Sequence, residues 1–177
     1  GDQVVDASGS GNHFQFANGA AWSSDGVREG AIKFDGQDDY IYRDSTGWSG
    51  YFTISLWIKT GTPSGYWTSE SNPGPGGCIR HQGGFNGNKA YFWFWDNSNN
   101  PAARSVTSAT DVVDNKWHHI AVTMNKDDDT IRLYVDGVQE DMTTTEGNES
   151  AYSRLWLGGI NGGCAGNHTM NGWIDEY

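Results

Sequence analysis

The sequence has few of the features that mark nucleic-acid-binding or membrane-spanning proteins. Only 11 Lys and Arg residues stand against 22 Asp and Glu, so the formal net charge is −11 at pH 7. Nucleic acids and anionic membrane surfaces bind clustered basic residues, and the basic residues here are scattered. No apolar run reaches the roughly 18 residues that a membrane-spanning helix needs. We therefore expect no nucleic-acid partner and no insertion into a membrane.

Cysteine is almost as scarce. The only two cysteines are Cys78 and Cys164, and their spacing fits no Cys-x-x-Cys metal or redox motif. We predict that they form one disulfide, which would make this a secreted protein. The polar N-terminus, GDQVVDASGSGN, has no signal-peptide pattern. It indicates a chain that starts after processing, or a module of a larger protein.

Glycine and aromatic residues, in contrast, are abundant. There are 25 Gly, and aromatic residues make up 14% of the chain, including 9 Trp. No long segment repeats apolar residues at the spacing of an amphipathic helix. Short strands joined by Gly-, Asn- and Asp-rich turns are typical of all-β proteins with this composition. With no linker and no internal repeat, residues 1–177 predict one all-β domain around a single core.

The clearest element is a hairpin within Asn115–Val138. Apolar residues alternate with polar or small ones over Ile120–Met124 and again over Ile131–Val135, which predicts two half-buried strands. The turn-forming segment Asn125–Thr130 lies between them, and Asp136-Gly137 ends the second strand. Further strands are predicted at Gly30–Gly36 with Asp38–Tyr42 as its partner, at Phe52–Lys59, at Lys89–Asp96 and at Leu155–Gly159.

Two stretches are predicted to be loops. Thr60–Lys89 holds three of the four prolines and many glycines, with at most a short strand around Ile79–His81, and long loops of this kind are often functional. Asn97–Asn115 is the second loop. In the strand between them, Tyr91, Trp93 and Trp95 must face one side, and Phe92 and Phe94 the other. Such a strand either lies between two layers or lines a groove for a flat ligand.

Several of these segments occur together, in this order, in one known family. The sequence resembles the laminin G-like jelly rolls of the concanavalin A-like lectin/glucanase superfamily. The resemblance implies a sandwich of two curved antiparallel sheets, and it leaves the function open because this architecture hosts lectins, adhesion modules and enzymes. The segments that carry it are Asp6–Asn12, Ala31–Gly36 with Asp39–Ile41, Phe52–Lys59, Trp117–Thr123, Leu133–Gly137, Leu157–Gly159 and Gly172–Glu176.

The resemblance also implies a structural calcium ion. Relatives commonly hold Ca²⁺ where the N-terminal loop meets the last strand. Calcium takes six to eight oxygen ligands from carboxylates and backbone carbonyls. The side chains that match are Asp6, Asn12, Asp35 and Asp175. Such an ion would fix the ends of the chain and take no part in chemistry.

Carbohydrate binding is the function that the aromatic residues favour. Sugar rings present C–H faces that stack on aromatic rings, while amide, guanidinium and imidazole groups bind the hydroxyls. Nine Trp exceed what one core needs, so we expect at least two of Trp67, Trp93 and Trp95 to contact a polysaccharide or other glycan. The opposing interpretation is that these rings fill the interior, as most Trp in sandwiches do. The predicted ligand-binding residues are Tyr66, Trp67, Arg80, His81, Tyr91, Trp93, Trp95 and Asn97.

Catalysis is disfavoured. Glucanases of this fold place two carboxylates on one strand as Glu-x-Asp-x-x-Glu, and Asp175-Glu176 points its two carboxylates to opposite faces. Arg80, His81 and Gln82 imitate only part of a polysaccharide lyase site. We therefore expect a secreted, monomeric, noncatalytic carbohydrate-binding module of a larger glycan-active enzyme or adhesin. The alternatives are a protein-binding adhesion module and, less favoured, a polysaccharide lyase or glycoside hydrolase.

Overall fold

The chain folds into β-structure over the part that the computed structural model describes, which is residues 3–44, 51–71, 79–96, 102–145, 154–160 and 168–177. Within these residues there are seventeen strands and no helix, and so none that is long and apolar enough to cross a membrane. In chain order the strands are β1 (Gln3–Val4), β2 (Phe14–Ala17), β3 (Ala21–Ser23), β4 (Ala31–Asp35), β5 (Tyr40–Asp44), β6 (Tyr51–Lys59), β7 (Tyr66–Ser71), β8 (Ile79–Asn86), β9 (Lys89–Asp96), β10 (Ala102–Asp111), β11 (Trp117–Asn125), β12 (Thr130–Val135), β13 (Val138–Thr144), β14 (Arg154–Leu157), β15 (Gly159–Ile160), β16 (His168–Thr169) and β17 (Asn171–Asp175).

Two antiparallel sheets account for nearly all of these strands. The eight-stranded sheet has the order β1-β2-β5-β14-β7-β8-β9-β10, and the seven-stranded sheet has the order β13-β12-β11-β6-β17-β4-β3. Strands β15 and β16 form a separate two-stranded ribbon. Consecutive strands pair in β7-β8-β9-β10 and in β11-β12-β13, whereas pairs such as β5 with β14 and β6 with β17 join strands that are far apart in sequence. The prediction of an all-β jelly-roll sandwich is confirmed.

The core lies between the two sheets. Along β6, Ile54, Leu56 and Ile58 are buried while the residues between them are half-buried, because successive side chains on a strand point to opposite faces. Each fully buried side chain of this size contributes about 1.5–3 kcal/mol to stability. The largest fully buried side chains are Trp67, Phe34, Phe92, Phe94, Leu56, Ile58, Ile120, Ile131, Leu133, Leu155, Leu157 and Ile160.

The predicted hairpin is confirmed as β11 and β12. Asn125 lies opposite Thr130 at the tip, and Ile120 lies opposite Val135 at the base. Asp136 (φ 51°) and Gly137 (φ 83°) both have positive φ, as the tight turns that join twisted antiparallel strands require. This turn connects β12 to β13, so the hairpin is the start of a three-stranded meander.

Two predictions are wrong, one about strand pairing and one about the segments predicted as loops. Strand β5 does not pair with β4; it lies in the eight-stranded sheet between β2 and β14, whereas β4 lies in the other sheet between β3 and β17. The predicted loops Thr60–Lys89 and Asn97–Asn115 contain β7, β8 and the ten-residue β10. The apolar alternation is broken there because buried positions are taken by polar residues such as Glu70 and His81.

The interior of the eight-stranded sheet depends on a contact between Trp67 and Gly83. Trp67 is 0% exposed, and its Nε1 donates a hydrogen bond to the carbonyl oxygen of Gly84 at 3.0 Å. A Cβ atom at Gly83 would lie 2.1 Å from two carbons of the indole ring, where no atom can be placed. Only glycine therefore allows the indole to cross β8 at this height.

We predict that Gly83→Ala lowers the free energy of unfolding by about 1–3 kcal/mol or more, the usual cost of overpacking a core. Urea denaturation followed by tryptophan fluorescence measures the change. Thr53→Ala, at an exposed strand position, is the control and should stay within about 0.5 kcal/mol of the parent. Equal midpoints for Gly83→Ala and the parent would show that the Trp67 contact is not restrictive.

Candidate functional site

Among the described residues, six aromatic side chains share the outer face of the eight-stranded sheet. Their neighbours on the same strands, such as Ile41, Leu155 and Phe92, are buried in the core, so alternation directs these six rings away from it. Five of them are partly exposed, and the sixth is 5% exposed. We call this set the aromatic face; it consists of Tyr40, Tyr42, Tyr66, Tyr91, Trp93 and Trp156.

Trp156 is the most buried residue of the aromatic face. Its ring centroid lies 5.1 Å from that of Tyr40 and 5.8 Å from that of Tyr42, and its Nε1 donates a hydrogen bond to Ser71 Oγ at 3.1 Å. Together with Ile160 it forms a small apolar cluster of its own, separate from the core between the sheets. The partly exposed rings that pack against this cluster are Tyr40, Tyr42, Tyr66 and Trp93.

One ion pair stands at the edge of the aromatic face. The Arg154 guanidinium lies 4.7 Å from the ring centroid of Tyr42 and 5.7 Å from that of Trp156. Its Nε and Nη2 donate hydrogen bonds to Asp44 Oδ1 at 3.1 and 2.9 Å. The two charges cancel, so this edge of the aromatic face presents a guanidinium beside two rings without a net charge.

At the other side of the face, two tyrosine hydroxyls meet around Gln82. Gln82 Nε2 donates a hydrogen bond to the Tyr91 hydroxyl at 2.6 Å. Burial raises the pKa of Tyr91 to about 12 and also raises the pKa of Tyr66, so both hydroxyls stay protonated near neutral pH and keep a donor. A Cβ at Gly84 would lie 2.9 Å from Tyr66 and 3.0 Å from Tyr91. Glycine therefore leaves the space in which the two rings lie over β8.

The structure separates the predicted ligand-binding residues into two groups. Tyr66, Tyr91 and Trp93 lie on the aromatic face, as the alternation along β9 predicts. Trp67 and His81 are corrections: both are buried between the sheets and cannot touch a ligand on either outer surface. The side chains of Arg80 and Trp95, and the whole of Asn97, lie outside the described residues.

His81 has an interior role instead. Its ring stacks on Phe94 with centroids 4.6 Å apart and planes inclined by 15°. Its Nδ1 lies 3.4 Å from Glu70 Oε2, on a carboxylate that is itself fully buried. Buried polar groups need partners to offset their desolvation, and this pair supplies part of that need within the inner face of the sheet.

Sequence reasoning missed half of the aromatic face. Tyr40 and Tyr42 flank the buried Ile41, and Trp156 lies between the buried Leu155 and Leu157. The signal is the strict alternation on these two short strands. The prediction that Asp38–Tyr42 pairs with β4 places this strand in the other sheet, and so the prediction obscures the signal.

The predicted calcium ligands do not form one site. Asp35 lies opposite Asn171 in the pairing of β4 with β17, and Asp175 lies four residues farther along β17, which is roughly 13 Å away at the rise of a strand. Asp175 Oδ2 accepts hydrogen bonds from the backbone N–H groups of Val27 and Arg28 at 2.7 and 3.4 Å. It therefore fastens the segment after β3 to the last strand.

The Asp6 carboxylate binds the backbone of Asn12. The two Asp6 carboxylate oxygens accept backbone N–H groups from Ser8 and Asn12, each at 2.8 Å. The N–H of Asp6 donates to His13 Nδ1 at 3.0 Å. Both residues line the cleft between the sheets together with Asp175. What the structure shows here is a self-contained loop held by one carboxylate.

Asp35 belongs to a different acidic group. Ligand oxygens of Asp35, Asp38 and Asp39 lie within 4.8 Å of one another. Asp39 is buried, and its two oxygens accept the N–H groups of Gly19 and Asp35 at 2.7 and 2.9 Å. Desolvation is the main cause that raises its pKa. The donor set is of the type that calcium takes, although three neighbouring acids do not by themselves make a metal site.

The predicted disulfide partners, Cys78 and Cys164, both lie outside the described residues. Their pairing stays a prediction.

Comparison with known proteins identifies the family. The family model Laminin_G_3, described as the concanavalin A-like lectin/glucanases superfamily, matches residues 35–177. The chain belongs to this laminin G-like family. No curated protein matches the sequence of the domain.

Solved structures share the fold of the laminin G-like domain. The binding domain of Paraclostridial Mosquitocidal Protein 1 is 16% identical with a TM-score of 0.72, and the match covers 99% of the domain and 45% of that chain. The botulinum neurotoxin type G receptor binding domain is 16% identical with a TM-score of 0.67, and the match covers 99% of the domain and 45% of that chain. Mouse laminin α1 domains LG4-5 are 16% identical with a TM-score of 0.62, and the match covers 82% of the domain and 39% of that chain. The domain spans less than half of each of these chains.

Two carboxylates have lowered pKa values, from which we expect the stability of the domain to decrease in acid. Hydrogen bonds from Ser8 lower the pKa of Asp6 to about 2, and a hydrogen bond from the Lys116 ammonium lowers the pKa of Asp114 to about 2. A carboxylate with a depressed folded pKa stabilises the fold above its unfolded pKa, near 4, and this contribution disappears as the pH falls through the folded value.

We therefore predict that stability changes little from these two groups between pH 7 and 5 and decreases between about pH 4 and 2. Thermal melts across this range measure it. The double variant Asp6→Asn, Asp114→Asn should start less stable at pH 7 and lose less on acidification than the parent. An identical acid profile for variant and parent would contradict the assignment.

Proposed function

We propose that the domain is a noncatalytic carbohydrate-binding module that holds a polysaccharide or glycan against the aromatic face. The observation that carries the proposal is the aromatic face itself, with five partly exposed rings on one side of a sheet whose other side already forms the core. Because the core lies on the other side of the sheet, these rings are not required to fill it. Partly exposed tyrosine and tryptophan rings offer apolar area together with a polar edge, which suits sugar rings with C–H faces and hydroxyl rims.

The polar groups around the rings suit hydroxyls better than charges. The Tyr66 and Tyr91 hydroxyls, the Gln82 amide and the Trp156–Ser71 pair are all neutral. Arg154 is neutralised by Asp44. A site of this kind fixes an uncharged ligand through a few placed donors and acceptors among rings.

The same composition supports binding without hydrolysis. Glycosidases use two carboxyl groups roughly 5–10 Å apart across the scissile bond. Within the aromatic face and its ion pair, as far as the described residues go, Asp44 is the single carboxylate, and its Oδ1 accepts two hydrogen bonds from Arg154. The similarity to solved structures named as binding domains agrees with this proposal.

The wider setting is also part of the proposal. We place the domain in a larger secreted protein, either a glycan-active enzyme or an adhesin, where it serves as one monomeric module. The predicted Cys78–Cys164 disulfide supports an oxidising compartment. The alternative is a protein-binding adhesion module, which would use an outer surface of the same sandwich for a protein partner.

We predict that Trp93→Ala lowers affinity for the bound polysaccharide at least tenfold while the domain still folds, because the ring is partly exposed and lies outside the main core. The control is Trp22→Ala, a tryptophan that is 58% exposed and lies in the other sheet. Affinity gel electrophoresis with a panel of polysaccharides measures binding, and near-ultraviolet circular dichroism checks the fold. Normal binding by Trp93→Ala would refute the aromatic face as the site.

The alternatives give different results in the same panel. A protein-binding module would bind none of the polysaccharides or arrayed glycans. An enzyme would release reducing ends or unsaturated products from at least one of them.

A structural calcium ion remains a proposal that rests on the family resemblance. Asp35 is the one predicted ligand that lies in a group of neighbouring acids. We expect EDTA to lower the melting temperature and added calcium to restore it, and Asp35→Asn to reduce this difference. A melting temperature that is unaffected by EDTA would contradict the proposed structural calcium ion.

A further inference from the structure

The strand register aligns the aromatic face into a row that crosses the eight-stranded sheet. Tyr42 lies opposite Trp156, Trp156 opposite Ser69, Ser69 opposite Gln82, and Gln82 opposite Trp93. The row continues to Gln15 on one side and to Ser105 on the other. All of these residues are therefore at one height of the sheet and on its outer face.

From this row we infer that the ligand is an extended, uncharged glycan chain that lies across the strands, and that the site binds internal segments of a polymer. This inference rests on the proposed function and specifies its ligand. A site for a single terminal sugar would gather its rings and polar groups around one point. Here the two partly exposed rings of the row, Tyr42 and Trp93, stand at opposite ends of a polar centre.

The length of the row sets the length of the ligand. From β5 to β9 there are four strand-to-strand steps, which at about 4.8 Å each separate Tyr42 from Trp93 by roughly 19 Å, about the length of four pyranose rings in an extended chain. A disaccharide reaches only one of the two rings. A longer chain reaches both and can stack a sugar on each.

The centre of the row offers hydrogen bonds. Gln82 lies between Ser69 and Trp93 and is partly exposed, and its Nε2 donates a hydrogen bond to the hydroxyl of the partly exposed Tyr91 at 2.6 Å. Ser69 itself is fully buried and does not reach a ligand. Sugars above Gln82 therefore meet polar groups, and the sugars at the two ends of the row meet rings.

Charge decides which polymers fit. Gln15, Ser69, Gln82 and Ser105 are uncharged, and the nearby Arg154 is paired with Asp44. The protein as a whole carries a net charge of −11, which repels polyanions over about a Debye length. We therefore expect neutral polymers to bind and polymers of uronic acids or sulfated sugars not to bind at the aromatic face.

The rings of this face also pack against Ile160 of the β15–β16 ribbon. That packing accounts for the burial of Trp156 beneath Tyr40 and Tyr42. Tyr42 and Trp93, at the two ends of the row, stay partly exposed despite this packing. The inference depends on these two positions.

The test has two stages. The first uses the whole domain and a panel of neutral polysaccharides (hydroxyethyl cellulose, xylan, galactomannan and laminarin) beside the anionic polygalacturonate and heparin. The second uses isothermal titration with oligosaccharides of two to six units from whichever neutral polymer binds. We expect affinity to rise at least tenfold between the disaccharide and the tetrasaccharide and then to level off, because both ends of the row are then occupied.

Variants connect this chain-length dependence to the row. Trp93→Ala and Tyr42→Ala should each weaken the tetrasaccharide. Only the change at the end where the disaccharide stacks should also weaken the disaccharide, and the other change should leave its affinity within about twofold of the parent. Trp22→Ala should follow the parent at every length. Melting curves of all variants show whether the fold is intact.

The outcomes separate the two proposals. Binding to a neutral polymer with equal affinity for the disaccharide and hexasaccharide would overturn the extended ligand and leave carbohydrate binding in place. Preference for polygalacturonate or heparin would overturn its neutral character. If the domain binds none of the polysaccharides in the panel, the proposed function and this inference are both overturned.

Discussion

The contact between Trp67 and Gly83 fixes the centre of the eight-stranded sheet. The indole of β7 crosses the inner side of β8 where a Cβ would lie 2.1 Å from its ring, and it donates a hydrogen bond to the carbonyl oxygen of Gly84. A shift of one residue toward Gln82 would bring a side chain under the ring, and a one-residue shift in either direction would turn outward residues inward. The absence of a methyl group at Gly83 therefore favours the observed register of β7 with β8.

That register has consequences on the opposite face. Gly84, the next residue, leaves room outside the sheet for Tyr66 and Tyr91, as Gly83 leaves room inside it for Trp67. Because neighbouring residues on a strand face opposite ways, two adjacent glycines serve two layers. The same pair of glycines makes room for Trp67 in the core and for Tyr66 and Tyr91 on the aromatic face, so the stability of the fold and the proposed ligand binding both depend on one short stretch of β8.

Much of the fold was readable from the sequence, because β6, β9, β11 and β12 alternate apolar and polar residues and carry the motifs of the family. The site was only partly readable. Trp67 is predicted to contact a ligand because the prolines and glycines of Thr60–Lys89 indicate a loop, whereas the structure forms β7 there and buries the indole. Which sheet a strand joins is also a matter of long-range pairing. No local pattern near Tyr42 shows that its neighbour is Trp156, more than a hundred residues away.

The distribution of polar groups explains why the outer face is better suited to a ligand than the interior. The interior polar residues Glu70 and His81 face each other at 3.4 Å between the sheets, where buried groups must be paired to be tolerated. The neutral donors and acceptors of the outer face have no such obligation, since partly exposed groups can exchange water for a ligand. In the proposed site, such polar groups lie beside rings that need no further packing, and a ligand would bind there through many modest contacts. A long polymer multiplies such contacts along the row, and a small ligand does not.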